Sequence, residues 1–95
     1  MITVYIRKNE ISVQGHAGAA PHGQDIICSA VSTLVCTLVN AIDALTKDKI
    51  EYSISEGMGL IRYRDLSEKG KLLVDSFFIG IVSIAEQYPE YVRIG

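Results

Sequence analysis

Ninety-five residues, 48% apolar and 21% charged, are too apolar for intrinsic disorder and too few for two cores, so residues 1–95 are expected to form one domain. Nine Lys and Arg against eleven Asp and Glu leave a net charge of −2, with the basic residues scattered from Arg7 to Arg93, which argues against a nucleic-acid-binding stripe. The opening MITVYIRKNE has neither the basic nor the apolar region of a secretory signal, so a reducing cytoplasm is the expected location.

In chain order, Ile2, Val4 and Ile6 alternate with Thr3, Tyr5 and Arg7, and Ile11 and Val13 with Ser12 and Gln14. This predicts a β-hairpin turning at Lys8-Asn9. From Gly15 to Gln24, GHAGAAPHGQ carries three Gly, one Pro and little bulk, and reads as a mobile loop. Asp25 to Leu45 places Ile27, Val31, Leu34, Leu38, Ile42 and Leu45 at helical spacing and predicts a long helix. Its uncharged stretch from Ile26 to Ile42 is shorter than the ~20 apolar residues of a membrane span and includes Ser29, Ser32, Thr33, Thr37 and Asn40, so a buried soluble helix is expected and no membrane. The opposite stripe, Ser29, Ser32, Cys36 and Asn40, is small and polar where a solvated helix would carry Lys and Glu, so a covering partner such as a second copy of the chain is expected.

Ile50, Tyr52 and Ile54 begin a second hairpin, with Gly57-Met58-Gly59 as its turn into Leu60 to Arg64. Asp65 and Glu68 fit a capping pattern for a second helix, in which Leu73, Phe77, Ile81, Ile84 and Tyr88 recur until Pro89. Tyr91 to Ile94 reads as a last short strand. The order ββαββαβ predicts an α+β domain: a mainly antiparallel sheet with two helices packed on one face.

Chemistry concentrates before and at the start of the long helix. Cys28 falls in its first turn, where unpaired N–H groups and the helix dipole favour an anion. A free thiol with a pKa of ~8.5 is only roughly 3% ionised at neutral pH, and helix N-termini are among the settings that raise the thiolate fraction. The alternative is a small core residue. Cys36, eight residues on, lies ~12 Å away along a helix, beyond the ~7 Å reach of a disulfide. His16 and His22 flank the same turn, and His16 follows a strand that can aim it, so His16 is the better partner for a Cys–His pair and His22 reads as a solvated loop histidine. Asp25 and Ser32 share the helix face of Cys28. Asp25 is first of all a helix cap, with orientation of His16 as a second role; Ser32 either supports the pair or bonds the carbonyl one turn back.

His16, His22 and Cys28 match no usual zinc spacing and lack a fourth ligand, so no metal is expected. Gly15, Gly18 and Gly23 lack the lysine and spacing of a phosphate loop, and no cofactor is expected. Redox sensing by Cys28 is disfavoured because Cys36 is out of reach as a resolving thiol.

Gly15-His16-Ala17-Gly18 followed by Gly23-Gln24-Asp25-Ile26-Ile27-Cys28-Ser29-Ala30-Val31-Ser32 resembles the signature of the ribosomal-processing cysteine protease family, and the likeness covers the whole chain. The resemblance implies an endopeptidase that removes the N-terminal extension of large-subunit ribosomal protein twenty-seven, with His16 and Cys28 as the catalytic pair. It also implies supporting positions at Asp25 and Ser32, a homodimer, and a flexible loop over the site. Ala17, Gly18 and Gly23 are the expected gating residues of that loop. The competing reading is a non-catalytic ribosome-associated binding module in which Cys28 only packs.

Overall fold

The computed structural model describes residues 1–18 and 25–95. The elements run β1 (Ile2–Arg7), β2 (Glu10–Gln14), α1 (Ile26–Leu45), β3 (Ile50–Ser55), β4 (Met58–Tyr63), α2 (Glu68–Gln87) and β5 (Val92–Ile94), the order the sequence predicts. They form one five-stranded sheet, β3-β4-β2-β1-β5. β1–β2, β2–β4 and β3–β4 pair antiparallel, and β5 joins β1 in parallel, so the sheet is mixed but mostly antiparallel.

That order makes each helix a crossover. α1 carries the chain from β2 past β4 to β3, and α2 carries it from β4 past β2 and β1 to β5. β2 and β4 run in opposite directions and their crossovers also travel in opposite directions. The two reversals cancel, so the right-handed crossover rule assigns both helices to one face. The core follows: Ile27, Val31, Val35, Leu38 and Ile42 of α1 and Phe77 and Ile81 of α2 pack with Val4, Ile11, Ile61 and Val92 of the sheet. The two helices meet where Leu34 of α1 lies over Gly80 of α2.

Several local expectations are corrected. The hairpin turn is Glu56-Gly57, because Ser55 pairs with Met58 and the β2–β4 ladder draws Met58 and Gly59 into β4. Ser67, not Asp65, caps α2: its Oγ accepts from the Gly70 N–H at 3.1 Å, while Asp65 takes a left-handed backbone, φ 49°, ahead of the cap. Asp48 holds this cap in place, its carboxylate accepting from the Ser67 N–H at 3.1 Å and from the Ser67 hydroxyl at 2.8 Å. Leu45, assigned to the buried stripe, is 61% exposed at the end of α1. β3 is an edge strand, and its Tyr52 and Ile54 are 58% and 45% exposed.

α1 is long and apolar enough, by length and composition, to cross a membrane. Here its apolar stripe is spent on the sheet.

Candidate active site

The site forms where three parts of the chain meet: the end of β2, the start of α1 and the β3–β4 turn. Pairing of Gln14 with Met58 brings the Glu56-Gly57 turn alongside the residues that follow β2. At that point Gly15 donates its N–H to the Gly57 carbonyl at 2.9 Å and turns the chain with φ 98°. A side chain at Gly15 would collide with the Met1 carbonyl oxygen. His16 comes next, its carbonyl accepting from the Met1 nitrogen and its exposed imidazole lying beside Gly57.

Ala17 then turns inward. Expected as part of a mobile loop, it is instead buried in the core, 4% exposed, and donates its N–H to the Cys28 sulfur at 3.2 Å. A methyl group suffices to anchor this point because the backbone supplies the second contact. Gly18 is exposed, has a left-handed backbone, φ 70°, and lines the cleft. Gly23 and His22, and the loop expectation for 19–24, lie outside the described residues.

Cys28 is half-buried in the first turn of α1 and packs against the edge of the core. The helix starts here because Asp25 caps it: one carboxylate oxygen accepts from the N–H groups of Ile27 and Cys28, each at 3.0 Å, in a setting 8% exposed. The cap role read from the sequence is therefore present. It also means that the first helical N–H groups, including that of Cys28 itself, already point at a carboxylate.

Ser32 and Cys36 follow Cys28 at one and two turns and form a wall of an open cleft of about 610 Å³. Both are exposed, Cys36 more so than the half-buried Cys28. The small polar stripe leaves room for the cleft, which Lys or Glu at Ser32 or Cys36 would narrow. Ile54 and Met58 of the second hairpin form the facing apolar wall, with His16 at the same rim. Such a groove, apolar on one side and lined by small hydroxyl and thiol groups on the other, suits an extended peptide. Among the described residues no group of three His, Cys, Asp or Glu side chains is arranged to hold a metal ion.

Sequence reasoning missed the hairpin's part in the site. Gly57, Ile54 and Met58 are some thirty residues from Cys28, and only the register of β2 against β4 brings them there. The available signal was the Glu56-Gly57 dipeptide, a better turn former than Gly57-Met58.

The family model described as cysteine protease Prp matches residues 1–93. The ribosomal processing cysteine protease Prp of Staphylococcus aureus (strain Mu50) is 27% identical over 103 residues, covering 99% of this chain and 97% of that protein. The Bacillus subtilis (strain 168) protein of the same name is 26% identical over 107 residues, covering 99% and 96%. Among solved structures, Prp from S. aureus with a covalently linked product peptide superposes with a TM-score of 0.92 at 27% identity, covering 100% of this chain and 98% of that one. SMU.848 from Streptococcus mutans superposes with a TM-score of 0.81 at 35% identity, covering 98% and 89%. A match across nearly the whole chain, on a site whose cysteine opens a helix beside a peptide-sized cleft, makes this chain a member of the cysteine protease Prp family.

Proposed function

We propose that the chain is the endopeptidase that removes the N-terminal extension of large-subunit ribosomal protein twenty-seven, with Cys28 as nucleophile and His16 as general base. The observation that carries this reading is the placement of Cys28: first turn of α1, sulfur accepting the Ala17 N–H, open to a cleft that His16 also lines. Relatives over the full length are named ribosomal processing cysteine proteases, and the S. aureus structure is of a complex with a covalently linked product peptide, which supports a peptide substrate.

In this mechanism His16 takes the thiol proton, and the sulfur attacks the peptide carbonyl to give a tetrahedral intermediate. Collapse breaks the C–N bond as His16 returns the proton to the leaving amine. Water then hydrolyses the thioester, with His16 again as base. The oxyanion needs N–H donors. Those of Ile27 and Cys28 are held by Asp25, so the donor this geometry favours is the Ala17 N–H, which lies on the sulfur before substrate binds. Asp25 acts here through the helix start, and Ser32 lines the peptide path. A homodimer is the expected assembly.

The test is incubation of purified protein with an extended and a mature form of the ribosomal protein, read by product mass. Cleavage at one bond of the extension, lost in Cys28→Ala, is expected; an intact extended substrate after prolonged incubation with active-site-titrated enzyme would refute the proposal. Sedimentation at micromolar concentration tests the dimer, and a monomer refutes it.

A further inference from the structure

We propose that Gly57 is a positioning residue for the His16 imidazole, a role that rests on the reading of His16 as the general base. A β-carbon placed on Gly57 would lie 2.8 Å from His16 Nε2, 3.4 Å from Cε1 and 3.6 Å from Cδ2. Three ring atoms therefore occupy the space that any other residue's side chain would need. Ordinary contact between such atoms is about 3.5–4.0 Å, so a methyl group there displaces the ring by roughly half an ångström or more. The nearest neighbour is the nitrogen Nε2, one of the two atoms through which an imidazole exchanges protons.

The same residue also fixes the backbone that aims the ring, since its carbonyl accepts the N–H of Gly15, the residue before His16. Gly57 thus holds both the root and the face of this side chain. Its register position is set by Ser55↔Met58 within the hairpin and by Gln14↔Met58 across to β2. The seat is consequently tied to the sheet and not to the segment after His16.

A purely structural account is available: Gly57 has φ 74°, and a glycine at the second central position of a two-residue turn relieves backbone strain. The two accounts separate on one substitution. Asn tolerates the left-handed backbone better than other residues but brings a β-carbon. If glycine serves only the turn, Gly57→Asn keeps near-native stability and near-native turnover. If it seats the ring, Gly57→Asn lowers kcat about 10–100-fold with KM within about twofold, because displacement of a proton-transfer group of this size costs up to about 10²-fold. Its His16 ring nitrogen and carbon-bound proton resonances also move in the substrate-free protein.

The experiment measures kcat and KM for peptide cleavage, thermal unfolding, and the His16 ring resonances in wild type, Gly57→Asn, Gly57→Ala and the outward-facing hairpin control Ser53→Ala. Supporting results are the kcat loss and ring shifts in both Gly57 variants, with Ser53→Ala matching wild type. A folded Gly57→Asn protein with wild-type kcat and unmoved His16 resonances overturns the proposal. Should neither variant fold, the wild-type protein decides: nuclear Overhauser contacts between the Gly57 α-protons and the His16 ring support the seat, and their absence overturns it. His16→Ala separates the two levels of inference. If it stays active, the base assignment fails; if it is inactive while Gly57→Asn is fully active, the seat alone fails.

Discussion

Replacing Asp25 by Ala removes the carboxylate, one oxygen of which accepts from two N–H donors at the start of α1. Both bonds are 3.0 Å long and Asp25 is mostly buried, so water does not readily replace them. Loss of a helix N-cap costs about 0.5–2 kcal/mol, and the ionised acceptor and poor solvent access place this site in the upper half of that range. For a domain of this size each kcal/mol lowers Tm by about 4–8 °C, so Asp25→Ala is expected to melt about 5–15 °C lower. Asp25→Asn keeps an amide oxygen in the same place and should lose less than half as much. The catalytic consequence follows from position: the freed N–H groups belong to Ile27 and Cys28 itself, so the sulfur loses its fixed distance from Ala17. Turnover measured well below the lower Tm should fall about tenfold in Asp25→Ala and recover in Asp25→Asn. Paired thermal melts and peptide-cleavage rates test this. A wild-type Tm for Asp25→Ala refutes the cap. Activity in Asp25→Asn as low as in Cys28→Ala, with a Tm near wild type, refutes the account in which Asp25 acts only through the helix start and assigns it to the proton path.

Cys28→Ser should fold and lose essentially all cleavage, since a hydroxyl ionises far less readily than a thiol, and His16→Ala should lose about 10²–10⁴-fold; product masses after long incubation decide both. Iodoacetamide should label Cys28 before Cys36 although Cys36 is the more exposed, because only Cys28 has the Ala17 N–H beside its sulfur; equal rates by mass spectrometry would remove that argument. Gly70→Ala should destabilise the protein despite alanine's better helix propensity, because its β-carbon collides with the Asp48 carboxylate that holds the Ser67 cap. In an Asp48→Ala background the same change should cost about 1 kcal/mol less, and strict additivity in a double-mutant cycle would contradict the collision.

Several elements were legible because a local signal agrees with burial. Val4 and Ile11 alternate with polar neighbours and reach the core, and Ile27, Val31, Leu38 and Ile42 keep helical spacing on one buried face. Cys28 and Asp25 were legible as a pair because capping geometry spans only three residues. What could not be read was anything fixed by long-range pairing. The turn at Glu56-Gly57 depends on which residue of β4 faces Gln14, and the exposure of Tyr52 and Ile54 depends on β3 lying at the edge of the sheet. Ala17 illustrates the same limit at short range. Small residues look unanchored in a sequence, but Ala17 is held by a hydrogen bond to sulfur that no propensity scale registers.

The origin of these parts bears on how the site tolerates change. The sulfur comes from the helix and is fixed by the Asp25 cap; the imidazole comes from the strand end and lies against a turn that belongs to the other hairpin. Two backbone N–H groups hold these parts together: that of Gly15 donates to the Gly57 carbonyl, and that of Ala17 to the Cys28 sulfur. Backbone contacts constrain register more than side-chain identity, which fits a family whose members superpose closely at about 27% identity. A substitution that keeps the β2–β4 register should therefore leave the two halves aligned, even where it changes the exposed face of the sheet. One that shifts the register by a single residue would move Gly57 away from His16 and turn β4's inward side chains, Ile61 among them, to the opposite face. Activity and core packing would be lost together.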